Sequence, residues 1–264
     1  MTKKKHLGPK ILILDIETFP ILGFFWGLFD QNIALNQIVE DWSIASIAAK
    51  WLHSKEVMYK DVRKSKNLRD DRALLTFIWK LLDEADIVVG QNSKKFDIKK
   101  INARFKIHGF QPPSSYKQID TLVLAKKNFA FTSNKLEYTS DKINKKYKKL
   151  THKKFPGMAL WTECLKDNIQ AWKEMEIYNK FDVLSTEEYY NALIPWDNSI
   201  NFNLYTDTEE TMCTCGSTSF SKNGFAYTAS GKFPRYKCKI CGSEVKGRIN
   251  ELSKDKRASL KSKV

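Results

Sequence analysis

Lys10-Ile-Leu-Ile-Leu-Asp15-Ile-Glu17 is the stretch on which the fold turns. Its apolar β-type run predicts a buried strand over residues 10–16. Side chains two apart on a strand share a face, so Asp15 and Glu17 project together. Two acids at the end of a buried strand are costly unless a cation or another partner meets them. The alternative for this pair alone is a strand running out into solvent.

Downstream, residues 22–29 and 31–39 read as extended segments around the turn Asp30-Gln31-Asn32. Ile44–Trp51 and Glu56–Lys60 read as further strands. Asp70–Ala85 has the period of an amphipathic helix, with Leu74, Leu75, Ile78, Leu81 and Leu82 on one side. Ile87–Gly90 is a short buried strand. Asp97–His108 is a helix ended by Gly109, and Pro112-Pro113 break the chain after it. Lys117–Thr121 reads as another strand; Leu136–Lys146, Gly157–Leu165 and Ile169–Leu193 read as helices, with Pro195 stopping the last. Strands come first and then alternate with helices. That order predicts an α/β layered fold on a mixed sheet, a meander followed by βαβ crossovers.

The 264 residues are 42% hydrophobic, enough for one substantial core and a small appendage. No apolar run approaches the roughly 18–20 residues of a membrane span. The basic N-terminus is followed by only four apolar residues before Asp15, too short for a signal-peptide core. The expectation is a cytoplasmic protein with no membrane partner. Forty-five Lys and Arg against thirty Asp and Glu leave a net charge of +15, which favours polyanions and nucleic acid first. The alternative is a set of solvated lysine-rich faces. The excess is uneven: Lys126–Lys154 holds ten lysines, and Val245–Val264 holds seven Lys or Arg. Two separate basic blocks suit a long polyanion better than a small anion.

Two more acids stand where a fold of this order would bring them to Asp15 and Glu17. Asp97 follows Asn92-Ser-Lys-Lys-Phe at a strand-to-helix junction, where simple N-capping is the alternative. Asp182 follows Tyr178 by one helical turn, so the two share a face. The alternative there is a core tyrosine beside a surface acid. Phosphodiester hydrolysis by two metals needs such a cluster of hard oxygen ligands, suited to Mg²⁺ or Mn²⁺. A tyrosine hydroxyl one turn from a metal-bound carboxylate can orient the attacking water.

Asp-x-Glu on the first strand, Asn-x3-Phe-Asp at the junction and Tyr-x3-Asp on a late helix resemble the DEDD exonucleases, on an RNase H-like (DnaQ-like) fold. Tyr178 points to the DEDDy branch; the sister branch would need His at Ile177. The stretches Asp15–Pro20, Trp26–Asn32, Ala48–Trp51, Tyr116–Asp120, Ser133–Leu136 and Leu193–Trp196 resemble bacteriophage-type DEDDy 3′–5′ exonucleases that carry a C-terminal zinc ribbon. The likeness runs from about residue 10 to about residue 248. It implies a mixed five-stranded sheet flanked by helices, and two Mg²⁺ or Mn²⁺ ions. Asp15, Glu17 and Asp182 would hold the first ion; Asp15 would bridge to the second, with Asp97 helping through water. Tyr178 would position the nucleophilic water. Thr18 and Phe19 would sit beside the terminal nucleotide, and Asn92 near the strand. Lys135, at a helix start, is a candidate phosphate contact, with a surface salt bridge as the alternative. Asp120 is ambiguous between a functional acid and a local cap.

Cys213-Thr-Cys215-Gly and Cys238-Lys-Ile-Cys241-Gly form two knuckles twenty-two residues apart. Four thiolates suit one structural tetrahedral Zn²⁺. A module this small has little core, so metal would supply folding energy. Phe220–Tyr227 and Arg235–Lys237 read as its strands, with cations and aromatics interleaved as in single-strand binders. Cys164 lies in an apolar helical pattern and reads as a core residue. The expected organisation is a nuclease domain over 1–205, a zinc ribbon over 206–248 and a basic tail over 249–264. The leading function is a 3′–5′ exonuclease releasing nucleoside 5′-monophosphates, with DNA the favoured substrate and replication or repair proteins as possible partners. An RNA exonuclease, or a nucleic-acid-binding adaptor on an inactive nuclease scaffold, are the alternatives.

Overall fold

The computed structural model describes residues 8–150, 154–207 and 209–261. The basic N-terminal stretch and the end of the basic tail lie outside them. The described residues divide into two compact units, one from Lys10 to Tyr190 and the other from Asn191 onward together with Gly8 and Pro9.

The first unit is built on a five-stranded mixed sheet. Its strands are β1 (Ile11–Phe19), β4 (Ser43–Trp51), β5 (Met58–Asp61), β6 (Ile87–Gly90) and β7 (Lys117–Asp120). They lie in the order β5-β4-β1-β6-β7. The pairs β1/β4 and β4/β5 are antiparallel, while β1/β6 and β6/β7 are parallel. This is the expected meander followed by crossovers. Between β1 and β4 the chain makes a detour through β2 (Leu22–Gly23) and β3 (Ile38–Glu40), which pair only with each other. The long strands expected over 22–39 shrink to these two short ones. The intervening residues mix apolar positions with Asp30, Gln31, Asn32, Asn36 and Gln37 and lack the alternation that gives a strand one buried face.

Helices α1 (Arg72–Glu84), α2 (Asp97–Ile107), α3 (Thr121–Asn128), α4 (Leu136–Ile143), α5 (Ala159–Leu165) and α6 (Ile169–Leu193) complete the unit. The stripe predicted on α1 is its buried face: Leu74, Leu75, Ile78, Leu81 and Leu82. It meets Leu12, Leu14 and Ile16 of β1 in the core. That orientation leaves the odd-numbered Asp15 and Glu17 on the other face of the strand. Asp71, fully buried just before α1, accepts from Ile44 N and from two nitrogens of Arg104, each within 2.9 Å, tying β4 to α1 and α2. Cys164 is buried in the core, as its helical pattern implied.

The second unit contains a three-stranded sheet in the order β10-β9-β8, from β8 (Phe220–Thr228), β9 (Gly231–Cys238) and β10 (Glu244–Lys246). A short helix α7 (Lys254–Ser259) lies in the basic tail, begun by Ser253 as its N-cap.

Candidate active site

Strand β1 delivers Asp15 and Glu17, and α6 delivers Asp182. One carboxylate oxygen from each lies within 4.8 Å of the others. The register explains the strand's part. Asp15 pairs with Ala48 and Glu17 with Ser46, and the pairing shifts between Glu17 and Thr18. Such a bulge bends a strand and re-aims its side chains. The parallel neighbour β6 is matched to β1 only as far as Ile13, so both acids stand beyond its end. On α6 the buried positions Trp172, Met175, Asn179, Asp182, Thr186, Tyr189 and Leu193 recur at helical spacing. Three polar residues interrupt an otherwise apolar stripe, and they do so opposite the acids of β1.

Asp97 does not join the close cluster. It opens α2, buried, with Oδ1 accepting from Ile16 N at 3.1 Å, directly between the two β1 acids. Tyr178 lies one turn before Asp182, largely buried.

Three residues that sequence reasoning did not single out organise the acids. Asn179 donates from Nδ2 to Asp15 Oδ2 at 2.6 Å and to Asp15 O at 3.2 Å. Ser46 Oγ donates to Asn179 Oδ1 at 3.0 Å, which fixes the way the amide faces. Trp161 Nε1 donates to Glu17 Oε2 at 3.2 Å. Lys149 Nζ donates to Asp182 Oδ2 at 2.9 Å and stands 5.1 Å from the centre of the Tyr178 ring. The lysine is brought there by its loop. Glu188 of α6 accepts from the backbone N–H groups of Lys145, Lys146 and Tyr147, and Lys149 N donates to Ser140 Oγ. One lysine of the Lys126–Lys154 block is thereby turned in toward the acids.

Electrostatics follow from crowding. Burial, then the charges of Asp97, Asp182 and Glu17, hold the Asp15 carboxyl well above the usual carboxylate range, with Lys149 opposing. Burial and then Asp182 push Glu17 up to about 8, with Lys149 and the Trp161 N–H opposing. Burial pushes Asp97 up to about 7, against the Ile16 N–H. Burial alone would lower Lys149, but Asp182 and Tyr178 raise it overall, so it stays charged. Acids this reluctant to ionise are a site short of positive charge. Hard oxygen donors so close together suit a divalent cation, which would favour their charged form.

The remaining expected residues fall in several places. Thr18 follows the bulge, half-buried. Phe19 is fully buried, its ring edge-on to Trp172 at 5.9 Å. The position expected to touch a nucleotide is thus a core position, because the aromatic ring gains more from the Trp172 contact than from solvent. Asn92 takes a left-handed conformation, φ 60°, and its N–H donates to Asp120 Oδ1 at 2.9 Å. Asp120 is a local cap: it also accepts from Lys94, Leu122 and Val123 N–H groups. Lys135 is the N-cap residue of α4, exposed, with no side-chain capping bond.

In the second unit, Cys213, Cys215, Cys238 and Cys241 bring their sulfurs within 4.8 Å of one another. Cys213 Sγ lies 3.5 Å from Cys241 Sγ, and Cys215 Sγ lies 3.7 Å from Cys238 Sγ. A Zn–S bond of about 2.3 Å gives tetrahedral edges of about 3.8 Å, so the set fits the ion. Gly216 and Gly242 sit at φ 85° and 78°, and their N–H groups close the knuckles onto Cys213 O and Cys238 O. Burial opposes ionisation of Cys238, but the N–H groups of Cys241 and Ile240 together with the Cys215 and Cys241 thiols outweigh it and bring the thiol down to about 6.

Residues 41–194 match the family model described as RNase_H superfamily. The chain belongs to the RNase H superfamily. The matched span includes Asp97, Tyr178 and Asp182 and begins after β1. Among solved structures, the chain is similar to the family B DNA polymerase of the hyperthermophilic archaeon Pyrobaculum calidifontis. That likeness has 15% identity and a TM-score of 0.49, and covers 71% of this chain and 25% of the polymerase chain. This chain therefore spans about a quarter of that polymerase. No curated protein matches it. Among the described residues, no helix is long and apolar enough to cross a membrane. The RNase H-like fold thus carries a cluster of three carboxylates that could hold a divalent metal ion.

Proposed function

We propose that this chain is a DEDDy-type 3′–5′ exonuclease of bacteriophage type, releasing nucleoside 5′-monophosphates and acting on DNA by preference. The reading is carried by one observation. Oxygens from Asp15 and Glu17 on β1 and from the sequence-distant Asp182 meet within 4.8 Å, and Tyr178 lies one turn before Asp182. Asp15, Glu17 and Asp182 would hold divalent cations, with Asp97 behind them. Bound Mg²⁺ or Mn²⁺ supplies acidified water and neutralises charge on the phosphate. The chain's own residues do the rest. Asn179 and Trp161 each occupy one oxygen of a ligand acid and so fix how it faces. Tyr178 supplies a neutral hydroxyl, since burial and then Asp182 raise its pKa, and can orient water without giving up its proton. Lys149 keeps a positive charge beside Asp182, where a phosphate would add negative charge.

In the second unit we propose one structural Zn²⁺ on the four cysteines and nonspecific retention of nucleic acid by the ribbon. Lys232 lies 3.9 Å from the Phe225 ring centre and Lys246 lies 4.7 Å from that of Phe233, while Tyr227 is exposed. Cations cover two rings and leave one open for stacking.

The deciding experiment incubates a 5′-labelled single strand of DNA, and a matched RNA, with Mg²⁺ or Mn²⁺, for the native chain and for Asp15→Ala. A ladder shortening from the 3′ end with the native chain alone is expected. Binding without shortening would leave the adaptor reading; faster shortening of RNA would replace the substrate.

A further inference from the structure

We infer that the β2–β3 detour is an arm that stacks the unpaired bases of the strand whose 3′ end lies at the acids. The inference rests on the nuclease reading above.

The arm is continuous with the site. Phe19 at the end of β1 pairs with Ser43 of β4, and three residues further on Leu22 pairs with Glu40. The hairpin that carries Asp15 and Glu17 thus extends past the acids on the side where β6 has already ended. At about 3.3 Å per residue, Leu22 stands roughly 16 Å beyond Glu17 along the chain. That is the length of several stacked nucleotides, at about 3.4 Å each.

The arm is also built rather than loose. Arg69 clamps its root, donating to Pro20 O at 2.7 Å and Asp41 O at 2.9 Å and pairing with Glu40 at 2.8 Å. Gly23 lets the backbone of Gln37 approach; a Cβ there would meet Gln37 O at 2.9 Å. Gln37 ties the two sides together, with Phe24 N donating to its carbonyl and its own Nε2 donating to Phe24 O. Gln31 Oε1 accepts from Trp26 N. Backbone groups of Phe24, Trp26 and Ala34 are tied to Gln31 and Gln37, and the rings of the loop are exposed. Trp26 is 99% exposed, Phe29 85% and Phe24 76%, with Phe25 also exposed.

Chemistry selects the occupant. Asp30 is the only charged residue from Ile21 to Val39, in a chain of net charge +15. A surface without cations does not grip phosphates. Flat rings without charge take the faces of bases, which stack on aromatics whatever the sequence. The phosphates are left to the lysines elsewhere on the unit. A surface of this kind selects a single strand, because bases in a duplex are already stacked.

The test uses the full chain with Phe24, Trp26 and Phe29 changed to Ala, all exposed positions. Binding is measured in the Asp15→Asn background, so that strand is not consumed. The probes are a single-stranded DNA of about ten nucleotides and the same strand with abasic sites near its 3′ end. Affinity for the intact strand is expected to fall about tenfold or more, and affinity for the abasic strand to stay level. Equal affinity for the intact strand with and without the rings would overturn the inference. So would unchanged affinity with a loss of self-association in sedimentation, which would assign the arm to a second copy. Hydrolysis of a p-nitrophenyl ester of thymidine 5′-monophosphate is followed separately. If only that fails, the nuclease reading falls while the base-stacking result stands. If only the strand result fails, the arm is removed and the nuclease reading stands.

Discussion

The acid cluster and the cysteine cluster bring side chains equally close, yet opposite forces hold them. Asp15, Glu17 and Asp182 stand on a strand and a helix of a large apolar core, and their mutual repulsion is contained by packing and by Asn179, Trp161 and Lys149. The cysteines stand on tight turns of a three-stranded sheet whose strands are mostly half-exposed. The first site spends stability already present elsewhere in the unit to keep charge frustrated. The second has little stability of its own to spend. On the proposed reading a metal in the first would serve a reaction, and a metal in the second would serve folding.

The largest effect expected from that contrast is in the ribbon. Structural zinc contributes about 10–16 kcal/mol in small modules. Cys238→Ser, or a strong chelator, is expected to unfold the ribbon while the first unit keeps its cooperative melt. Amide hydrogen exchange resolved by region checks this; a joint collapse of both units would erase the distinction. Next comes Asp182→Ala, expected to lower strand cleavage by about a thousandfold or more while the melting temperature without metal holds or rises. Parallel kinetics and calorimetry test it, and a large loss of stability would make the acid structural.

A third expectation concerns pH. Glu17 near 8 and Asp97 near 7 exceed their ordinary values of 4.5 and 3.8. Without divalent metal the folded first unit therefore binds more protons than the unfolded chain between about pH 4 and pH 8. Its stability from these groups is complete below that window and is lost as pH rises through it. Melting curves should show Mn²⁺ stabilising the unit more at pH 8 than at pH 6, and Glu17→Gln should reduce the metal-free slope. The smallest change expected is from Asn179→Ala, which frees Asp15 to turn. Mn²⁺ affinity is expected to weaken about 10–100-fold, read by calorimetry, with Asn179→Asp failing to restore it because the amide donor is lost.

Much of this was legible in one dimension because it rests on local periodicity. The buried face of α1 follows from spacing alone, and the limits of α6, Ile169–Leu193, from spacing and the stop at Pro195. So does the shared face of Asp15 and Glu17. Helix α3 was not legible: Thr121–Asn128 has no strong apolar stripe and owes its start to the Asp120 cap, which also accepts from the turn before α2. Lys149 was hidden among ten lysines of like appearance, and only the capture of its loop by Glu188 distinguishes it. The place of Phe19 beside a nucleotide is implied by resemblance alone, and nothing local in the sequence tells that its ring packs on Trp172.

What sequence alone determined is therefore the alternation of strands and helices, the acids and thiols available, and the face each occupies on its own element, because these depend on neighbours a few residues away. Tertiary structure decided which groups meet across 164 residues, as Asn179 meets Asp15, and which rings of the 22–35 segment stay outside. Those outcomes depend on the packing of whole elements, where a bulge or a captured loop re-aims a side chain and no local pattern records it.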